Sequence, residues 1–251
     1  MSRRAALGTA AAIGCVLVYP VLAAYGIPDY SHLQPADRGI VQNIAAGDSV
    51  QERPIRLFEH GDPDAPHRIL VVGCIHGDEP AGIAIAERLE GMTVPKEIDL
   101  WVITSSNPDG VAQRTRTNAD GVDLNRNFPW RWRPIGRQGD RHYSGPRPLS
   151  EPESRLLARE IERLRPEITI WFHQPFGVVD QSGGDVAIER RFASLAGLPL
   201  QRLPRYPGGV TDWQNARFPG TTSFVVELPA GPLSPLRVGQ FARAVLAVAP
   251  R

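Results

Sequence analysis

Hydrophobic positions along this chain gather in four short runs, separated by polar segments that contain proline and glycine. The runs cover residues 68–74, 99–104, 168–172 and 222–228. Most positions within each run are apolar instead of alternating with polar ones, a pattern that is typical of strands buried on both faces. The sequence therefore predicts four central strands, with other elements packed on both sides of their sheet.

Segments with helical character lie between these runs. Residues 79–91 have a proline in the first turn and a glycine after the last apolar position, which predicts a helix. A second helix is predicted to start at a capping box of Ser150 and Glu153 and to stop before Pro166. A third and shorter helix is predicted around 188–196. This alternation predicts an α/β protein, a single domain with a mixed twisted sheet flanked by helices on both faces.

Residues 1–26 have the pattern of an export signal. Arg3 and Arg4 precede an apolar stretch over 5–24, and the small residues around Ala23 offer a cleavage site. The stretch has about 20 residues, enough to span a bilayer if it is not removed. We therefore expect an exported protein, extracellular or periplasmic, that is either released by cleavage or anchored to the membrane by this stretch.

The composition favours one globular domain that does not bind nucleic acid. The 251 residues carry a formal net charge of +1, from 28 Lys and Arg against 27 Asp and Glu, so the chain has no strongly basic character. Residues 27–52 lack periodicity and are predicted to be a linker or irregular arm, which leaves 53–251 as the domain. Cys15 lies in the N-terminal apolar stretch, and Cys74 is predicted to be an inert packed thiol.

Candidate metal ligands stand at the ends of the predicted strands. His76 and Glu79 follow the first strand, His173 follows the third, and Glu227 lies near the end of the fourth. Functional groups of α/β proteins collect where the carboxyl ends of parallel strands meet, and two histidines with one carboxylate can hold catalytic zinc. Each residue also has an ordinary interpretation, as a solvated loop histidine, a helix-start or strand-end glutamate, or a packed core histidine.

Several short motifs include these residues and follow one another along the chain. They are H-x-x-E at 76–79, N-P-D-G at 107–110, D-x-N-R-N at 123–127, the strand-terminal His173, Gly-Gly with Asp-Trp at 208–213, and Glu-Leu at 227–228. In this order they resemble the zinc carboxypeptidase (metallocarboxypeptidase) family, and the resemblance extends over residues 68–229. It implies an enzyme that hydrolyses amide bonds in peptides.

The resemblance also implies roles for individual residues. One Zn²⁺ per chain would be held by His76, Glu79 and His173, and Glu227 would be the general base that takes a proton from the activated water. Asp123 would accept a hydrogen bond from His76 and so fix the tautomer of that ring.

Residues implied to contact the substrate lie in or near the same motifs. Asn125 and Arg126 match the pair that binds a free carboxylate, for which the planar guanidinium is well suited. Arg116 is implied to stabilise the oxyanion at the scissile carbonyl, with Arg114 as the alternative. The expected partner is therefore a peptide substrate with a free carboxylate.

Two positions depart from the pattern of the digestive members of this family. Their substrate-binding tyrosine stands four residues before the Gly-Gly pair, whereas Tyr206 stands two residues before Gly208. Thr211 falls where those enzymes select the C-terminal side chain, and threonine supports neither an apolar nor a basic preference. Tyr206 and Thr211 are therefore substrate-binding candidates without an assigned specificity.

Other features are more similar to bacterial murein peptide amidases than to digestive enzymes. They are the export segment, the compact remainder, His-x-Pro at 173–175 and Glu-Leu-Pro at 227–229. This resemblance implies hydrolysis of the bond between γ-D-glutamate and diaminopimelate in cell-wall peptides. The alternatives are a deacylase of the aspartoacylase and succinylglutamate desuccinylase type, a general metallocarboxypeptidase acting on protein C-termini, and an inactive peptide-binding module.

Overall fold

A mixed sheet organises the structure, which is a computed structural model that describes residues 40–250. Its strands are β1 (Ile40–Asp48), β2 (Pro54–Gly61), β3 (His67–Val72), β4 (Ile98–Ile103), β5 (Ile168–His173), β6 (Phe176–Asp180), β7 (Leu200–Gln201) and β8 (Thr222–Pro229). The helices are α1 (Ala81–Glu90), α2 (Pro108–Gln113), α3 (Pro152–Leu164), α4 (Val186–Ala196), α5 (Val210–Arg217) and α6 (Pro235–Ala247). A short 3₁₀ turn covers Leu124–Arg126.

The strands lie in the order β1-β2-β4-β3-β5-β8-β6-β7. The central four, β4, β3, β5 and β8, run parallel to one another. On one side β2 is antiparallel to β4 and to β1, and on the other β6 is antiparallel to β8. The carboxyl ends of the parallel strands therefore share one edge of the sheet, which is where α/β proteins place their functional groups.

Apolar side chains cover both faces of the central strands. Ile69 and Val71 of β3 point into a core with residues of α1, α4 and α6, including Phe192 and Phe241. Their neighbours Leu70 and Val72 point into a second core with residues of α3 and α5. Because successive strand residues face opposite sides, only a sheet covered on both faces requires apolar residues at every position. The predicted fold class is confirmed.

The predicted strands and all three predicted helices are confirmed, with ends that shift by a few residues. Each of the four apolar runs overlaps one of the central strands β3, β4, β5 and β8. The helices predicted over 79–91 and around 188–196 are α1 and α4. Cys74 is a buried thiol whose pKa burial raises to about 12, which fits a packed and unreactive group.

The helix predicted after residue 150 forms as α3, but its predicted capping box is wrong. Helix α3 begins at Pro152 after Glu151, and no side chain caps its first turn. The Ser150 hydroxyl donates to the Glu151 carboxylate at 2.6 Å. The Glu153 carboxylate accepts the Val50 N–H at 3.0 Å. Glu153 is fully buried against the chain before β2, and this long-range contact replaces the local one that the motif predicts.

The predicted irregular arm over 27–52 is wrong for residues 40–48, which form β1 at the edge of the sheet. Most described side chains of β1 are exposed or half-buried, so no hydrophobic alternation marks the strand in the sequence. The predicted export segment, 1–26, and residues 27–39 of the arm lie outside the described residues, whereas residues 49–52 form the turn between β1 and β2. Among residues 40–250, no helix combines the length and the apolar character that crossing a bilayer requires.

Candidate active site

The ends of β3, β5 and β8 deliver the candidate catalytic side chains to one place. His173 is the last residue of β5 and lies in register with Glu227 of the parallel neighbour β8. His76 and Glu79 occupy the turn that joins β3 to α1. Gly77 is required within this turn, since a Cβ atom there would overlap the backbone of Gly110 in α2. The turn is therefore fixed against α2 as well as against the sheet.

His76, Glu79 and His173 form a buried group that can hold a metal ion, as their ligand atoms lie within 4.8 Å of one another. Oε2 of Glu79 lies 3.0 Å from Nδ1 of His76 and 2.9 Å from Nδ1 of His173. Two imidazole nitrogens and one carboxylate oxygen match a donor set that zinc prefers in catalytic sites. The residues present therefore fit the predicted metal.

Asp123 connects the metal-binding group to a buried arginine. Its Oδ1 lies 3.1 Å from Nε2 of His76, and its Oδ2 accepts from Nε of Arg116 at 2.8 Å. Arg116 also donates to Oε1 of Glu79 at 2.7 Å. The bond between Asp123 and Nε2 leaves Nδ1 of His76 as the nitrogen that faces Glu79 and His173. This is the orientation that a metal-ligating histidine needs.

The charges of this network stabilise one another. Burial opposes ionisation of Glu79 and of Asp123, but nearby His76 keeps the pKa of both carboxyls well below their usual values. Arg116 loses solvation by burial, yet Asp123 and Glu79 raise its pKa. Burial lowers the pKa of His173, which favours the neutral ring that binds metals. Burial opposes protonation of His76, but the negative charge of Glu79 raises its pKa. The group therefore combines anionic carboxylates with one histidine that is favoured in its neutral form, His173.

Glu227 lies beside this network without a comparable set of partners. It is 8% exposed, and its Oε2 makes no hydrogen bond within the described part of the chain. Burial, reinforced by the negative charge of Glu79, raises the pKa of Glu227 to about 7. A carboxyl with such a pKa exchanges protons readily near neutral pH, as a general base must.

The predicted carboxylate-binding residues lie together near the start of α5. Oδ1 of Asn125 accepts the N–H of Val210 at 3.0 Å, and the guanidinium of Arg126 stacks 4.5 Å above the ring of Tyr206. Burial lowers the pKa of Arg126, the consequence of a guanidinium held away from solvent. Thr211 is buried in the first turn of α5, and Tyr206 is half exposed. The structure thus brings all four substrate-binding candidates to one region.

Arg116 and Arg114 take different places. Arg116 contacts Glu79 and Asp123, whereas Arg114 is an exposed residue that ends α2 in the left-handed conformation, with φ 55°. Of the two alternatives for the oxyanion, only Arg116 lies within the network.

Two residues at the site were not predicted from the sequence. Nδ1 of His142 lies 3.2 Å from Oδ2 of Asp123. The backbone N–H of Gln174 contacts Oε2 of Glu79 at 3.3 Å, and its side chain bonds to Ala81 and to Pro229. His142 stands in an irregular loop, where no periodicity gives its direction. Gln174 follows His173 directly, and this adjacency is the feature of the sequence that could have indicated its place at the site.

Comparisons with known proteins agree with this geometry. The family model described as zinc carboxypeptidase matches residues 30–179. Murein peptide amidase A of Vibrio campbellii is 34% identical over 206 residues, which cover 76% of this chain and 80% of that protein. Murein peptide amidase A of Escherichia coli K12 is 32% identical over 157 residues. That match covers 57% of this chain and 64% of the relative, slightly less than two thirds of its length.

A solved structure has the same fold. The murein-tripeptide amidase from Escherichia coli O157 superposes with a TM-score of 0.69 at 26% identity. The superposition covers 87% of this chain and 98% of the other. The similarity therefore extends over most of this chain and nearly all of the other.

Proposed function

The chain belongs to the zinc carboxypeptidase family of hydrolases, and we propose that it cleaves cell-wall peptides between γ-D-glutamate and diaminopimelate. The similarity to murein peptide amidases supports this substrate class. The apolar stretch over 5–24 supports an exported location, where such peptides occur. The substrate, the bond and the location are all part of the proposal.

In this proposal His76, Glu79 and His173 hold one zinc ion. When bound, zinc acts as a Lewis acid that polarises a carbonyl and lowers the pKa of water. Glu227 takes the proton from the attacking water and passes it to the leaving amine. The raised pKa of Glu227 and its unpaired Oε2 support this role, because an oxygen without a fixed partner is free to receive a proton.

Arg116 and Asp123 support the same site from the other side. The guanidinium of Arg116 remains charged beside Glu79 and Asp123, so it can stabilise the negative charge that develops on the scissile carbonyl oxygen. Asp123 orients His76 through Nε2. Both side chains are held in position by hydrogen bonds within the site.

Asn125 and Arg126 bind the carboxylate on the leaving side of the scissile bond. Diaminopimelate supplies such a carboxylate, and the partly desolvated guanidinium of Arg126 gains more from pairing with it than an exposed one would. Tyr206 holds the Arg126 guanidinium by stacking, and Thr211 lies in the adjacent turn of α5. These positions support recognition of a free carboxylate, but they do not indicate which side chain is preferred on the leaving side of the scissile bond.

The observation that carries the catalytic part of the proposal is the buried His76, Glu79 and His173 group beside Glu227. The test is mass spectrometry of the products formed from a mixed pool of murein peptides and ordinary C-terminal peptides. Cleavage at the γ-D-glutamyl bond is expected, while release of C-terminal residues alone would identify a general carboxypeptidase. The His173→Ala variant is the control, and it should lose both bound zinc and turnover.

A further inference from the structure

A second group of arginines lies beside the site, in a depression that Asn125 and Arg126 do not line. The depression has a volume of about 310 Å³. The charged lining residues are Arg114, Arg116, Arg141, Asp78 and Asp140. None of the leaving-side residues Asn125, Arg126, Tyr206 and Thr211 contributes to this lining. The depression nevertheless adjoins the metal-binding group, because Arg116 contacts Glu79 and Asp78 precedes Glu79 in the chain.

Most charges in this depression already have partners. Arg141 pairs with Asp78 at 2.8 Å. Arg116 pairs with Glu79 and Asp123, as described above. Asp140 accepts the backbone N–H of Arg137 at 3.0 Å. Arg114 differs, since its guanidinium has no ion pair or hydrogen bond among residues 40–250. The depression therefore offers one unpaired cation beside the site.

The backbone of Arg114 is held in place although its side chain is exposed. Its N–H donates to Val111 at 3.3 Å, and the next N–H, that of Thr115, donates to Gly110 at 2.9 Å. The left-handed φ of 55° is uncommon for a residue other than glycine or asparagine. The backbone position of Arg114 is therefore fixed by the end of α2, and only its side chain extends into solvent.

We propose that Arg114 binds the free α-carboxylate of the glutamate on the acyl side of the scissile bond. This inference rests on the proposed function. In a γ-glutamyl peptide the side-chain carboxyl forms the amide, so the α-carboxylate remains free on the acyl side. An ordinary peptide linked through its α-carboxyl has no such group at this position. Arg114 therefore distinguishes γ-linked from α-linked substrates, while Arg126 recognises the leaving side.

The test compares alanyl-γ-D-glutamyl-diaminopimelate with the same peptide amidated at the glutamate α-carboxylate. Hydrogen bonds to charged groups are the stronger ones, and losing one here should lower wild-type kcat/KM about 10- to 100-fold on amidation. In Arg114→Asn this preference should disappear, because asparagine tolerates the left-handed backbone but carries no charge. Arg114→Lys should retain part of the preference. Arg190→Asn, which removes an exposed arginine on α4, should retain all of it.

Binding measured without turnover separates recognition from catalysis. In a Glu227→Gln background, calorimetry should show that Arg114→Asn weakens binding of the free-acid peptide and leaves binding of the amidated peptide unchanged. Equal cleavage of both peptides by the wild type, or a full preference in Arg114→Asn, would overturn the assignment while leaving the proposed function intact. Cleavage of C-terminal peptides with no cleavage of either γ-glutamyl peptide would overturn the proposed function, and the assignment with it.

Discussion

Glu227 and Glu189 make an instructive pair, since burial raises the pKa of both glutamates to about 7 in two different regions. Glu189 lies on α4, is fully buried, and accepts the N–H of Ser182 at 2.9 Å. Its charged neighbours are Asp180 and Arg205, which pair with each other at 2.6 Å. Neither the hydrogen bond of Glu189 to Ser182 nor its charged neighbours in the described chain involve a histidine.

The surroundings of Glu227 are different in kind. The residue is 8% exposed at a sheet edge, in register with His173 and within reach of the charge of Glu79. A raised pKa therefore reports burial in both regions, and it indicates chemistry only where other reactive groups and access to water accompany it. The same substitution made at Glu227 and at Glu189 should therefore have different effects on activity.

The largest expected effect comes from replacing both glutamates in the same way. Glu227→Gln should lower kcat by about 10²- to 10⁴-fold, the loss typical of a positioned proton-transfer group, and should retain zinc. Glu189→Gln should leave kcat close to that of the wild type, although it removes a carboxyl with the same pKa. Steady-state kinetics with elemental analysis would check both. Comparable losses of kcat in the two variants would contradict a catalytic role that is specific to Glu227.

A somewhat smaller effect is expected at Arg126. Removing one partner of a desolvated charged pair costs about 2 to 5 kcal/mol, so Arg126→Ala should lower kcat/KM by roughly 30-fold to several thousand-fold. Amidating the leaving-side carboxylate should cause a similar loss in the wild type. The two losses should not add, since they remove the two halves of one contact. Additive losses would show that the carboxylate has another partner.

Stability should depend on pH through Glu189. A carboxyl that ionises near 7 when folded and near 4.5 when unfolded retains its proton longer in the folded state. The free energy of unfolding of the wild type therefore falls as pH rises from about 5 to about 7, by at most ~3 kcal/mol from this group. Glu189→Gln should remove this part of the slope. Urea unfolding at both ends of that range measures it, and an unchanged slope would contradict the assignment.

The smallest effect is expected at Asp123, which contacts Nε2 of His76 at 3.1 Å. Asp123→Asn should weaken zinc binding by about 10- to 100-fold, the usual consequence of losing the carboxylate that orients a ligating histidine. Asp99→Asn is the matched control, because Asp99 is equally buried but lies at the start of β4, away from the site. Competition with a chelator measures both affinities. Equal weakening in the two variants would assign Asp123 a general structural role.

The sequence predicted the central strands because burial on both faces leaves an unbroken apolar run, as in β5 and β8. It did not predict β1, whose exposed edge position imposes no such pattern. The same distinction applies to the site. His173 and Glu227 could be placed because each is close to a strand end, whereas His142 reaches Asp123 from an irregular loop. Contacts made by loops depend on the whole fold, and local spacing carries little information about them.

The resemblance to family motifs grouped residues that their spacing in the sequence alone does not bring together. Three elements, α1, β4 and α2, separate Asp123 and Arg116 from His76 in the chain, so only the resemblance of the ordered motifs indicated that these residues belong together. The capping box of α3 shows the opposite case, since a local motif was present and the contact of Glu153 with Val50 took precedence. Local patterns are most reliable where no distant partner competes for the same side chain.

The close approach of Gly77 and Gly110 limits how this site can be transplanted. A side chain at Gly77 would collide with the backbone of Gly110, and Asn107 in turn donates to Ile75 at 3.1 Å. The H-x-x-E turn and the N-P-D-G segment are thus one interlocked module, although they lie far apart in the chain. A designer who grafts only the histidine and glutamate onto another α/β scaffold will lose the backbone that sets their angle. Moving both segments together, with the spacing of β3 and β4 preserved, is the minimum portable unit.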